Sequence, residues 1–339
     1  MTPRELGFSF PAEWAPHAAT WMSYPRPGGI SFPDRYQSCL ENWARIARSV
    51  AEFEPLRVNV GPDDMTEAGR HIGDFAELFP IATDEPWCRD HGPAFVVNDT
   101  EIAVVDWKFN AWGGKYAPWD RDAGVPKQIA ETLGLRRFEA PIVMEGGAVD
   151  FDGAGSILTT TDCLLNPNRN GDMPRAKVEQ HLLDYYGQQH VHWLTGGIEG
   201  DDTDGHVDDL ARYIAEDTIV IGVEQDTADP NHAATASAVE QARAFCGNVV
   251  EFPMPDHLEI EGQRVPATHV NFYFVNGGLL VPTFGGPSDD RCLGILRELM
   301  PDRNVVGVDC REIIWGLGAI HCLTQQQPVG PRPTGTIVP

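Results

Sequence analysis

An α/β fold is predicted by three observations. Short apolar runs of strand character alternate with helical stretches, 34 Gly and 27 Pro are spread along the chain, and five glycine-led apolar segments recur at wide intervals. Alternating strands and helices argue for sheets with helices packed on them. The Gly and Pro content exceeds the roughly 12% of an average chain and fits many tight turns between short elements.

The first helix is predicted over 38–53, where Leu40, Trp43, Ile46, Val50 and Phe53 recur at spacings of three or four before Pro55 ends the run. A strand-like segment, 56–60, follows. Further helices are expected near 64–78, 125–134, 174–186, 231–245 and 289–299, with strands at 102–107, 156–160, 218–222 and 305–309. Residues 269–282 read as two strands joined at Asn276-Gly277-Gly278. The glycine-led segments are DHGPAFVV (90–97), EGGAVDF (145–151), DGHVDDLARYI (204–214), THVNFYFV (268–275) and GLGAIHCL (316–323). Five related modules around an axis would bring five strand beginnings to one centre and gather distant residues into one site. Residues 1–327 are taken as a single catalytic domain and 328–339 as a loosely held tail.

Composition excludes several classes. A net charge of −25 over 339 residues would repel phosphate backbones, so nucleic acid is not an expected partner. The same field would concentrate cations near a cleft. Seven cysteines, at 39, 88, 163, 246, 292, 310 and 322, include no C-x-x-C pair, which argues against a metal knuckle or a disulfide scaffold. The first residues lack the basic start and apolar core of a signal peptide, and no apolar stretch approaches membrane-spanning length. A cytoplasmic, membrane-free enzyme is the expectation.

Four segments offer chemistry. Cys322 follows two glycines, which let backbone approach a ligand closely, and its thiol becomes a nucleophile where a neighbour stabilises the thiolate. His206 and Asp208, two apart, would face one space on an extended strand and suit an acid/base group beside a cation-binding carboxylate. A metal site using His206 with Asp204, Asp208 or Asp209 competes with that reading, as does a purely structural turn. Asp90, between Arg89 and His91 and near Trp87, offers a carboxylate with an aromatic wall, a match for a planar guanidinium. Glu145, before two glycines, is placed to orient His206 or touch a substrate. His321 and Cys88 are set aside, on the expectation that strand neighbours face opposite sides.

Together these stretches resemble the agmatine deiminase family, also called the bacterial peptidyl-arginine deiminase family, within the guanidino-group-modifying enzymes. The resemblance rests on FPAEWAPHAATWMSYP (10–25), WCRDHGP (87–93), WKFNAWGGKYAPW (107–119), EGGAVDFDGAGSILTTTDCLLNPNRN (145–170), DDTDGHVDDLARY (201–213), VNFYFVNGGLLVPTFG (270–285) and IHCLTQQQP (320–328). It implies a fivefold pseudosymmetric α/β propeller of ββαβ modules. It also implies a Cys322 nucleophile, a His206 acid/base, and Asp90 and Asp208 as holders of the guanidinium nitrogens, with Glu145 in support. Hydrolytic deimination of a small cationic guanidino substrate, agmatine first, follows from it. No metal or organic cofactor is implied, and a homodimer is. The sequence departs from the family pattern at Gly316-Leu317-Gly318-Ala319, where G-G-G-N is usual, at Tyr24-Pro25, and across 25–36. Those departures leave arginine, methylated arginine and peptidyl arginine open as substrates, beside a metallohydrolase and an inactive guanidine-binding homologue.

Overall fold

The computed structural model describes residues 1–331; most of the expected tail, 332–339, lies outside the described residues. Five small sheets follow one plan. Each starts with an antiparallel pair and adds a parallel strand on the other side. Their orders are Ala94–Val97, Ile102–Lys108, Arg136–Val143; Val149–Phe151, Ser156–Thr160, His190–Leu194; Ala211–Ala215, Thr218–Val223, Asn248–Pro253; and Tyr273–Val275, Gly278–Thr283, Asn304–Asp309. The remaining sheet joins the two ends of the chain: Gln325–Pro328 pairs antiparallel with His17–Ser23, and Leu56–Asn59 and Ala76–Phe79 follow in parallel. A two-stranded ribbon, Glu259–Ile260 with Gln263–Arg264, stands apart. No sheet among the described residues closes on itself.

A parallel neighbour needs a crossover, and helices supply it. Tyr36–Ala51, Val125–Leu133, Arg175–Tyr186, Asn231–Ala242 and Pro287–Leu299 each bridge a middle strand to its parallel partner. The first buries Cys39, Leu40, Trp43, Ile46, Ala47 and Val50, the stripe its spacing predicted. The expected helix over 64–78 is shorter, Met65–Ile72, and ends in the strand Ala76–Phe79. Three other outer strands were also not expected: Arg136–Val143, His190–Leu194 and Asn248–Pro253. Each has one neighbour and is largely half-buried or exposed, so its sequence lacks the apolar run that marks a central strand.

The glycine-led segments do precede inner strands, with one correction. Four first make a helical turn: Cys88–His91, Gly146–Ala148, Val207–Asp209 and Ile320–Leu323. The candidate site residues therefore sit on or beside tight turns at strand entrances, not on the strands.

Those entrances meet at a buried carboxylate. Glu13 Oε1 accepts from the backbone N–H of Phe274 at 2.9 Å and pairs with Arg212 Nη2 at 3.0 Å. Its Oε2 meets Arg89 Nη2 at 3.2 Å and His321 Nε2 at 2.8 Å. Arg212 Nε reaches Asp150 Oδ1 at 2.9 Å, and its Nη1 donates to the Phe272 carbonyl at 3.0 Å. Residues belonging to all five sheets or their entrances thus share one ion-pair cluster. Burial alone would raise the Glu13 pKa, but Arg212, His321 and Arg89 outweigh it and hold the carboxyl well below its usual range.

Removing one partner of a buried ion pair typically costs about 3–5 kcal/mol. Glu13→Ala takes one carboxylate partner from each of two buried guanidiniums and is expected to lower the stability measured by urea unfolding by about that amount. A depressed carboxyl pKa contributes stability above the unfolded value that is lost as pH falls through the folded one. The Glu13→Gln protein should therefore lose less stability than the wild type on acidification below about 4.5.

Candidate active site

Asp90 is carried by the Cys88–His91 turn and is buried. Its Oδ1 accepts from Gly147 N at 3.0 Å and its Oδ2 from Trp112 Nε1 at 2.9 Å. Asp208 lies on the Val207–Asp209 turn, where Oδ2 meets His321 Nδ1 at 2.6 Å and the buried Oδ1 has no hydrogen-bond partner among the described residues. Cys322 Sγ is 3.8 Å from Asp208 Oδ2 and 3.1 Å from Asn271 Nδ2.

His206 joins these groups. Its Nδ1 is 3.7 Å from Asp90 Oδ1 and 3.9 Å from Asp208 Oδ1, and its Nε2 is 3.6 Å from Glu145 Oε2. The expected extended geometry is corrected: His206 has φ −57° and ψ 138°, and a 3₁₀ turn begins directly after it. The turn still brings both side chains to one space. Neither imidazole nitrogen has a hydrogen bond among the described residues.

Gly147 explains how so many groups fit. A Cβ there would stand 2.6 Å from His206 Nδ1, 2.8 Å from Asp90 Oδ1 and 3.0 Å from Asp208 Oδ2. Only a residue without a side chain leaves that room.

The electrostatics divide the groups into distinct states. Burial, followed by repulsion from Asp208, lifts the Asp90 pKa to about 6 despite His206 and the Trp112 N–H. Burial would depress His206, but Asp90, then Cys163 and Glu145, hold its pKa well above the usual value. Asp208 is kept below the ordinary carboxylate range against its burial, first by His321. Burial and then Asp208, Asp209 and Asp90 push the Cys322 thiol well up. The free site thus favours a protonated His206 and an un-ionised Cys322 thiol.

A pocket opens onto this cluster, with Cys322 and Asp90 in its lining. Trp87, Trp112, Tyr116 and Trp315 supply aromatic walls, and Glu85 and Asp202 supply carboxylates. Trp87 is steadied by Nε1 donating to Ser31 Oγ at 2.8 Å. Leu317 lines the same pocket in the left-handed region, at φ 67°. Glu145 is fully buried behind His206, and Arg169 Nε meets its Oε1 at 2.7 Å.

Sequence reading missed Arg169, Trp112 and Asn271. Trp112 adopts φ 55° between Ala111 at 50° and Gly113 at 90°, a left-handed run that only the glycines of AWGG hinted at. Arg169 is bound to Glu145, Asp204 and the Thr203 carbonyl, and buried arginine has no local sequence signature. Arg89 points away from Asp90 to Glu13 and Gln326. His321 and Cys88 also lie on helical turns, so the strand argument that set them aside is corrected. His321 is nevertheless occupied at both nitrogens, by Asp208 and Glu13, and burial pushes the Cys88 thiol to about 12.

Two groups of side chains have metal-ligand proximity: Glu145, Cys163 and His206, and separately Asp208, Asp209 and Cys322. Asp204, a candidate ligand from sequence, is instead bonded to Lys115, Asn168 and Arg169.

This arrangement occurs in a chain with many relatives. Agmatine deiminases of Ectopseudomonas mendocina and Stutzerimonas stutzeri are 37% and 36% identical to it, with 96% of this chain and 97% of each relative covered. A solved agmatine deiminase of Enterococcus faecalis superposes with a TM-score of 0.91 at 32% identity, covering 96% of this chain and 97% of that one. A cysteine-to-serine variant of C. jejuni agmatine deiminase with substrate bound gives a TM-score of 0.90 at 27% identity over the same shares. The family profile described as Porphyromonas-type peptidyl-arginine deiminase matches residues 9–328, and the chain belongs to that family.

Proposed function

We propose that the chain is an agmatine deiminase, a hydrolase that converts agmatine to N-carbamoylputrescine and ammonia through a covalent amidino-cysteine. The observation that carries this reading is the meeting of a thiol, an imidazolium and two carboxylates beneath one aromatic, acidic pocket. The agmatine deiminase relatives, alike in sequence and fold, support the choice of substrate.

In this reading, Asp90 and Asp208 accept hydrogen bonds from the guanidinium, each charge-assisted bond contributing about 1.5–3 kcal/mol net. The unpartnered Oδ1 of Asp208 is a ready acceptor. Substrate charge also reverses the field that keeps Cys322 protonated, so the guanidinium assists ionisation of its own attacker, whose proton leaves to solvent through the pocket and returns to the sulfur once the product has formed. The thiolate adds to the guanidinium carbon. His206, already protonated, gives its proton to the departing nitrogen, and ammonia leaves. The neutral imidazole then takes a proton from water, whose oxygen attacks the amidino carbon and frees the sulfur. Glu145, clamped by Arg169, steadies the imidazolium. Trp87 packs on the planar group, and Asp202 and Glu85 favour a second positive charge at the far end of the substrate. No step calls on a metal or organic cofactor.

The same reading takes residues 1–327 as one catalytic unit and the five sheets as fivefold pseudosymmetric modules about an axis, the α/β propeller. Its support is the Glu13 cluster, which draws on all five sheets. No helix among the described residues is long and apolar enough to cross a membrane. Cytoplasmic location and a homodimer rest on the family resemblance.

Ammonia release should be greatest with agmatine among guanidino compounds and vanish in Cys322→Ala; equal turnover by that variant would refute the nucleophile. Because the Asp90 pKa is raised to about 6, its carboxylate is lost below that value. The kcat/KM for agmatine should therefore rise with pH through about 6, and an acidic limb near 4 would contradict the assignment. Activity should persist after dialysis against a strong chelator; its loss, with recovery on adding a divalent metal, would favour the metallohydrolase.

A further inference from the structure

Three carboxylates act on the Cys322 sulfur and all oppose its ionisation. Resting on the reading of Cys322 as nucleophile, we propose that Asn271 is a further catalytic residue, whose Nδ2 donates to Sγ and stabilises the thiolate, with Asp209 as the positioning residue that aims the amide.

The geometry fixes which end of the amide faces the sulfur. Asn271 Oδ1 accepts from His321 N at 3.0 Å and Cys322 N at 3.4 Å. Both are donors only, so an amide turned the other way would set N–H against N–H. The NH₂ group therefore faces Asp209 Oδ1 at 2.9 Å and Cys322 Sγ at 3.1 Å. Its two protons match these two acceptors. Asn271 is fully buried, and its backbone carbonyl also accepts from His321 N at 3.1 Å, which ties the residue to the turn carrying the nucleophile. Among the described residues, it supplies the N–H within hydrogen-bonding reach of the sulfur.

Asp209 suits the supporting role. It is buried, its Oδ2 has no partner among the described residues, and burial followed by the charges of Asp208 and Asp201 raises its pKa well above the usual value. Its Oδ1 accepts one amide proton and so turns the other toward the sulfur. No mechanistic step assigned above uses either residue.

The test is the pH dependence of Cys322 alkylation by iodoacetamide, read on the Cys322 peptide by mass spectrometry, together with agmatine turnover. Asn271→Asp keeps the acceptor for both backbone N–H groups and removes the donor to sulfur. The expected result is an upward shift of the alkylation profile by at least about one pH unit. The accompanying fall in kcat should be on the order of tenfold to a hundredfold, the range for a hydrogen bond to a charged group. Asp209→Ala, which frees the amide, should shift the profile the same way by less. Should Asn271→Asp not fold, Asn271→Ser and Asp209→Ala carry the comparison. An unshifted profile in the Asn271 variants would overturn the proposal. So would a downward shift in Asp209→Ala, which would mean that Asp209 acts as a negative charge on the thiol. A wild-type protein that turns over no guanidino compound would overturn the activity reading instead. The alkylation profile uses no substrate and would still decide the role of Asn271.

Discussion

Glu13 is the constraint on which the rest depends. Five small sheets, each too small to stand alone, need something that fixes their mutual orientation, and apolar packing tolerates slippage that directional ion pairs do not. The Glu13 carboxylate takes contacts from Phe274, Arg212, Arg89 and His321. One step further out, His321 holds Asp208, and Arg212 holds Asp150. The path from the centre of the fold to the proposed nucleophile is thus short: Glu13, His321, Asp208, Cys322. Positions of the candidate site residues are set by the same cluster that joins the sheets.

Charge balance is the second organising theme. Arginines neutralise the carboxylates that have structural duties, Arg212 for Glu13 and Asp150 and Arg169 for Glu145. Among the described residues, Asp90 and Asp208 have no arginine partner; the basic side chains beside them are His206 and His321. Burying carboxylates with incomplete compensation is costly, and a guanidinium is the planar group whose geometry completes the set. The protein surface carries the same sign, since the chain's net charge is −25. Attraction of a cation therefore begins outside the pocket and strengthens toward its floor.

The sequence revealed much of this, unevenly. Central strands and crossover helices were legible because burial on one or both faces writes an apolar pattern, as in Ser156–Thr160 and Tyr36–Ala51. Outer strands such as Arg136–Val143 were not, because half-exposed edges carry Arg and Glu as readily as Val. Among site residues, Cys322, His206, Asp90, Asp208 and Glu145 were named from glycine-flanked reactive side chains, and the structure brings them together. The local geometry was read wrongly: a helical turn and an extended strand can aim the same pair of side chains at one point. Trp112, Arg169 and Asn271 escaped notice because their importance lies in contacts across the fold. Asn271 sits inside a strand-like run, and nothing in VNFYFV marks it as facing a sulfur fifty-one positions away.

The first sheet has a consequence for biosynthesis. Its inner edge is the strand Gln325–Pro328, paired with His17–Ser23 from the opposite end of the polypeptide. A ribosome-bound chain emerges from its beginning, so the early strand waits without this neighbour until residues 325–328 have been made and have cleared the exit tunnel. Chaperone protection would matter most during that wait, when an apolar edge is open. Activity then arrives late and all at once, because the strand that closes the gap directly follows the turn bearing the thiol.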